Sequence, residues 1–176
     1  ANRVKLAGFG LADQLAEINV TGARLARQAV GVSGYVAGSV GPLGVTVGGG
    51  GATTAEAAES QFTEQVAALL EGGVDLLLLE TFGEIVELEA AVRAVRRLSD
   101  LPLVAQVATG EDGLSLDGVT PEQFAGTLSA LGATMVGVNC GAGPAATLET
   151  VERIAAATDV PLSAQPNAGG PKEVEG

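Results

Sequence analysis

Histidine and tryptophan are absent from this 176-residue chain, cysteine and tyrosine occur once each, and lysine occurs only at Lys5 and Lys172. Without histidine there is no imidazole base, no zincin-type helix and no histidine-centred triad. A single thiol, Cys140, excludes an internal disulfide framework and a self-sufficient cysteine-rich metal site. Basic charge is scarce as well: nine Lys and Arg face 21 Asp and Glu, for a formal net charge of -12. Nucleic-acid binding draws most of its affinity from cationic contacts to phosphate, so nucleic acid is excluded as a main partner. The longest apolar run, Val74–Leu79, is far shorter than the roughly 20 residues a membrane-spanning helix requires, so no membrane association is expected. No basic segment followed by an apolar one opens the chain, and a soluble cytoplasmic protein is the working expectation.

What is present is aliphatic. Hydrophobic residues make up 47% of the chain and aromatics 3%, so the apolar content rests on Ala, Val and Leu. Small side chains of this kind suit helices packed closely on a parallel sheet. Leu11, Leu15, Ile18, Gly22, Leu25 and Ala29 recur at steps of four and three, predicting a core-facing helix over Leu11–Ala29. Tyr35–Val40 reads as a buried strand leading into a long flexible loop through Gly48–Gly51. A helix is predicted over Glu56–Glu71, stopped by Gly72-Gly73, and Val74–Leu79 as a strand buried on both faces that ends abruptly at Glu80-Thr81. The unit then repeats: helix Ile85–Leu98, strand Leu103–Val107, helix Pro121–Leu131 capped by Thr120, strand Thr134–Val138, helix Ala145–Ala157 and strand Pro161–Gln165. Five strands alternating with helices predict a parallel α/β architecture, and the periodicity alone allows either a barrel or a doubly wound sheet.

In both architectures ligands sit at the carboxyl ends of the strands. The polar residues predicted there are Ser39, Glu80, Gln106, Asn139, Cys140, Gln165 and Asn167. Glu80 closes an apolar run, where a carboxylate suits a substrate ammonium or a general base; a capping or solvated carboxylate is the plainer reading. Cys140 leaves a strand just before a helix start, a position that favours a thiolate, although a lone cysteine also serves as a small buried hydrophobe. Gly141-Ala142-Gly143-Pro144-Ala145-Ala146 fits the dinucleotide fingerprint only formally, since the next strand ends in Gln165 rather than an acidic residue. Gly48–Gly51 lacks the Lys-Ser/Thr pair of a phosphate loop.

Several stretches jointly resemble the homocysteine S-methyltransferase family, in the branch of cobalamin-dependent methionine synthases and bacterial fusions with methylenetetrahydrofolate reductase. They are Ala1-Asn2-Arg3 with Leu6, Gly38-Ser39-Val40-Gly41-Pro42, Leu79-Glu80-Thr81-Phe82, Gly137-Val138-Asn139-Cys140-Gly141 with Gly143-Pro144, and Gln165-Pro166-Asn167-Ala168-Gly169. The resemblance implies a (β/α)8 TIM barrel with about five of its eight strands present, residues 1–176 forming the central part of one homocysteine-binding domain truncated at both ends. It implies zinc-dependent methyl transfer to the homocysteine sulfur, giving methionine, with Cys140 as the first of three cysteine ligands and the other two in an adjacent pair beyond Gly176. It further implies Glu80 as the grip on the substrate amino group and Ser39 and Asn139 as substrate contacts. The donor it implies is methylcobalamin, or methyltetrahydrofolate acting through other modules, while betaine and S-methylmethionine stay open. By the same logic, a segment with one of three cysteines is expected neither to hold zinc tightly nor to turn over. Two alternatives compete: a catalytically silent binding or interaction fragment derived from such a barrel, and an unrelated barrel lyase or aldolase, which the placement of the two lysines outside every predicted strand disfavours.

Overall fold

A computed structural model describes residues 1–168; Gly169 of the last matching stretch, Lys172 and the segment Pro171–Gly176 lie outside the described residues. The order is α1 (Arg3–Ala7), a 3₁₀ turn (Ala12–Gln14), α2 (Leu15–Val30), β1 (Ala37–Val40), α3 (Ala55–Gly72), β2 (Leu76–Phe82), α4 (Ile85–Leu98), β3 (Leu103–Val107), α5 (Pro121–Ala130), β4 (Met135–Asn139), α6 (Pro144–Ala155) and β5 (Leu162–Gln165). All four strand pairs are parallel, and the spatial order is β1-β2-β3-β4-β5. That order settles the choice the periodicity left open. Right-handed crossovers between successive neighbours place every connecting helix on the same side of the sheet, whereas a doubly wound sheet must reverse its strand order once. The observed α/β fold is therefore the partial TIM-barrel arrangement, with helices outside and the other sheet face turned toward the barrel axis.

The helix-facing side is dry. Val40, Leu77, Leu79, Leu103, Ala105, Val107, Val136 and Val138 pack under Phe62, Val66, Leu88, Val92, Phe124 and Leu128 in one continuous core. On the opposite face Leu76, Leu78, Val104 and Met135 are only half-buried, and Ser39 is exposed. The expectation that Val74–Leu79 is buried on both faces is thus corrected: in β2 the odd residues Leu77 and Leu79 carry the burial, because only that face has helices against it. β1 is likewise shorter than Tyr35–Val40 and alternates between exposed and buried positions, with Tyr35 outside it and exposed.

The stripe predicted over Leu11–Ala29 holds at Leu11, Leu15 and Ile18, which pack inward, and fails beyond them. A 3₁₀ turn takes up Ala12–Gln14, and the buried face of α2 is Leu15, Asn19, Val20 and Ala23, while Leu25 is 59% exposed and Gly22 and Ala29 face solvent. The reason lies in the partner helix. A Cβ at Gly72 of α3 would stand 2.5 Å from the Cβ of Ala23, so these two small residues set a close crossing that leaves the larger Leu25 outward. The Gly48–Gly51 stretch forms a turn: Gly48 N donates to Thr53 O at 2.9 Å, and Gly48, Gly49 and Gly50 all take positive φ. α5 begins as its sequence predicts, with Pro121 at the first position and a reciprocal capping box between Thr120 and Gln123.

Candidate active site

β2 does not end at Glu80. It continues through Thr81 to Phe82, with a register shift against β3 between Leu79 and Phe82. The shift is a bulge: Thr81 has φ 64°, the left-handed region that a β-branched residue rarely enters, at a strain of about 1–3 kcal/mol. Bulges re-aim side chains, and here Glu80 accepts a hydrogen bond from the Ser39 hydroxyl on β1. Thr81 is held from β4. Its backbone N–H donates to Asn139 Oδ1 at 2.8 Å, and Asn139 Nδ2 donates to Thr81 Oγ1 at 2.8 Å.

Cys140 follows β4 directly and is partly buried. Its φ is 55°, and its N–H donates to Gln165 O at 3.0 Å, fastening the end of β4 to the end of β5. Two donors reach its sulfur, Asn139 Nδ2 at 3.5 Å and Thr81 Oγ1 at 3.8 Å. The chain can turn away beyond Cys140 only because Gly141 has no side chain: a Cβ there would collide with Thr109 O, and φ is 60°. Asn167 Nδ2 donates to Gly141 O at 3.2 Å, so the fifth strand's exit also braces this turn.

One layer deeper, Gln106 Nε2 donates to Ser163 Oγ at 2.7 Å, passing over Gly137, where a Cβ would collide with Ser163 O. Gln106 Oε1 is buried without a partner. Beside the mouth, a groove of about 310 Å³ opens between the loops after β1 and β2 and is lined by Pro42, Gly44, Thr46, Gly83, Glu84 and Glu87. None of Ser39, Glu80, Asn139 and Cys140 lines it. Glu87 is only 4% exposed and accepts a hydrogen bond from Leu43 N at 2.7 Å; burial raises its carboxyl pKa above the usual range.

Of the residues expected at the site, Ser39 and Glu80 form one hydrogen-bonded pair and Asn139 and Cys140 another, and Thr81 joins the two. Thr81, within the Leu79-Glu80-Thr81-Phe82 stretch, is not singled out by the sequence as a site residue. The signal open to a sequence reader was its place directly after the carboxylate that closes an apolar run. For a metal, Cys140 is a suitable donor, since it is partly exposed and its sulfur already receives two polar hydrogens. The donor count does not close: no group of three or more His, Cys, Asp and Glu converges among the described residues, whereas zinc takes three or four protein ligands. No helix among the described residues is long and apolar enough to cross a membrane.

A parallel sheet in sequential order, with a carboxylate and a thiol near the carboxyl ends of its strands, is the arrangement of a partial β/α barrel. The chain belongs to the homocysteine S-methyltransferase family, whose profile matches residues 1–176. It is 30% identical over 181 aligned residues to methionine synthase of Mycobacterium tuberculosis, covering 97% of this chain and 15% of that protein. Among solved structures it is similar to the homocysteine methyltransferase MmuM of Escherichia coli. Against the metallated form the TM-score is 0.79 at 27% identity, over 96% of this chain and 64% of that one. Against the apo form the TM-score is 0.76 at 25% identity, over 89% and 62%. The chain thus spans less than a sixth of the methionine synthase and under two thirds of the solved chains.

Proposed function

We propose that this chain supplies the homocysteine-binding mouth of a methyltransferase domain that converts homocysteine to methionine. The observation that carries the reading is the Asn139 bridge, which brings the Glu80-Thr81 bulge of β2 and the Cys140 thiol of β4 to one end of the sheet. The Glu80 carboxylate takes the substrate ammonium in a charge-assisted hydrogen bond, with Ser39 fixing one of its oxygens. Cys140 is one thiolate ligand of a zinc ion whose further ligands are not among the described residues. Zinc, when bound, holds a thiol as thiolate near neutral pH. The sulfur lone pair of homocysteine then forms the S–CH3 bond as the donor–CH3 bond breaks. Methylcobalamin, or methyltetrahydrofolate carried by other modules, is the proposed donor. A cytoplasmic setting belongs to the same reading, because a thiol that must stay reduced suits a reducing compartment.

The solitary thiol favours a second reading, a silent module that retains the barrel without the metal. Both are separated in the full-length protein by zinc stoichiometry, with and without homocysteine, and by steady-state kinetics. Under the enzyme reading one zinc is bound and Cys140→Ser loses it. Glu80→Gln raises KM for homocysteine on the order of tenfold to a hundredfold, the worth of one hydrogen bond to a charged group, with kcat changed far less. If the full-length protein binds no zinc under either condition, the enzyme reading falls and the silent module takes its place.

A further inference from the structure

Asn139 is the residue that the family resemblance makes a contact to substrate. Both of its donors are engaged and the side chain is buried, with only the second lone pair of its oxygen unused. The amide has two hydrogens: one goes to Thr81 Oγ1 at 2.8 Å and the other to Cys140 Sγ at 3.5 Å. Its oxygen receives Thr81 N–H at 2.8 Å, and the residue is 3% exposed. Both of its short bonds end on Thr81, the β-branched residue at φ 64°. A backbone in that region persists where neighbours over-determine it, and here a single amide does so from two directions.

We infer that Asn139 is a positioning residue, which fixes the distance and orientation between the Glu80 carboxylate and the Cys140 sulfur, rather than a contact to homocysteine. Thr81 directly follows Glu80, so pinning Thr81 fixes how Glu80 leaves the sheet. The same amide, together with Thr81 Oγ1 at 3.8 Å, holds the Cys140 sulfur. Gln106 does not share this role, because among the described residues its side-chain hydrogen bond joins β3 to β5 through Ser163. The inference rests on the homocysteine reading of the site and names the part that sets its geometry.

The test uses Asn139→Ala, Thr81→Val and the double variant in the full-length protein. The readouts are zinc affinity, from competition with a chromophoric chelator, alongside kcat and KM for homocysteine. Partners that orient a metal ligand are worth about 10–100-fold in metal affinity, and that loss is expected for Asn139→Ala. Thr81→Val, which keeps the shape and removes the hydroxyl, is expected to lose zinc affinity in the same direction by a smaller factor. The double variant is expected to lose little beyond Asn139→Ala, since both changes cut one link. A substrate contact gives a different pattern: KM rises in Asn139→Ala alone while zinc affinity stays within twofold in both single variants, and that result overturns the inference. Should Asn139→Ala fail to fold by circular dichroism, Thr81→Val decides alone, with unchanged zinc affinity counting against. Glu80→Gln separates the two levels. If it leaves KM unchanged, the substrate reading of the mouth fails, whereas the zinc affinities of the other variants judge the positioning role by themselves.

Discussion

Glu87 carries an ionisable group into a place where ionisation is expensive. It sits 4% exposed on α4, receives Leu43 N–H, and its carboxyl pKa is raised first by desolvation, with Glu84 adding repulsion and Leu43 N–H and Lys5 opposing. A carboxyl whose folded pKa lies above its unfolded value of 4.5 binds more protons when folded. Its contribution to stability is therefore greatest at acid pH and declines as pH rises through that window. Glu87→Gln keeps an acceptor for Leu43 N–H and removes the charge. It is expected to raise Tm at pH 7–8 and to change it little near pH 4, as thermal melts across that range will show; a loss of Tm at pH 8 contradicts the desolvation argument. At the mouth, Glu80 and Cys140 were legible as residue types at strand ends. The link from Thr81 to Asn139 was not, because it depends on a bulge and on a partner 58 residues away.

At the scale of elements, the strands and helices follow the sequence where local chemistry dominates. α5 starts where Thr120, Pro121 and Gln123 say it must, and α4 spans the predicted Ile85–Leu98. They depart where packing dominates. In α2 the predicted stripe holds at Leu15 and, half-buried, at Ile18, and fails at Gly22, Leu25 and Ala29, where Ala23 packs against Gly72 instead. Gly72→Ala tests this. Its new methyl meets Ala23 Cβ at 2.5 Å and Val20 O at 3.1 Å, so α2 must move off α3. Overpacking of this kind costs about 1–3 kcal/mol, although Gly→Ala in a helix by itself favours folding by up to about 1 kcal/mol. A net loss of stability in urea denaturation supports the close crossing, and a net gain shows that the helices are free to separate.

Across the whole molecule, an excess of acidic charge and a set of exposed apolar side chains oppose each other. Phe9, Leu25, Val32, Tyr35, Leu116 and Leu148 stand largely in solvent, while the chain carries a formal charge of -12. Mutual repulsion of this size keeps copies apart at low ionic strength. Screening shortens from about 10 Å at 0.1 M salt to about 3 Å at 1 M, so self-association is expected to rise with salt. Light scattering from 0.01 to 1 M sodium chloride measures it, and the double change Val32→Ser with Tyr35→Ser is expected to reduce the rise. Scattering that falls with salt instead points to association through charged groups.

The sequence by itself determined the alternation of strands and helices, the scarcity of chemistry-bearing residues, and the placing of Glu80 and Cys140 at strand ends. Those follow from periodicity, capping and composition, which act within a few residues. Only the tertiary structure decided that the sheet runs in sequential order with all its helices on one side, that α2 turns Ala23 inward, and that Asn139 ties the carboxylate strand to the thiol strand. These depend on which side chains meet across long stretches of chain. Register, close approach and a positive φ at Thr81 are properties of pairs, and a pair exists only once the chain has folded.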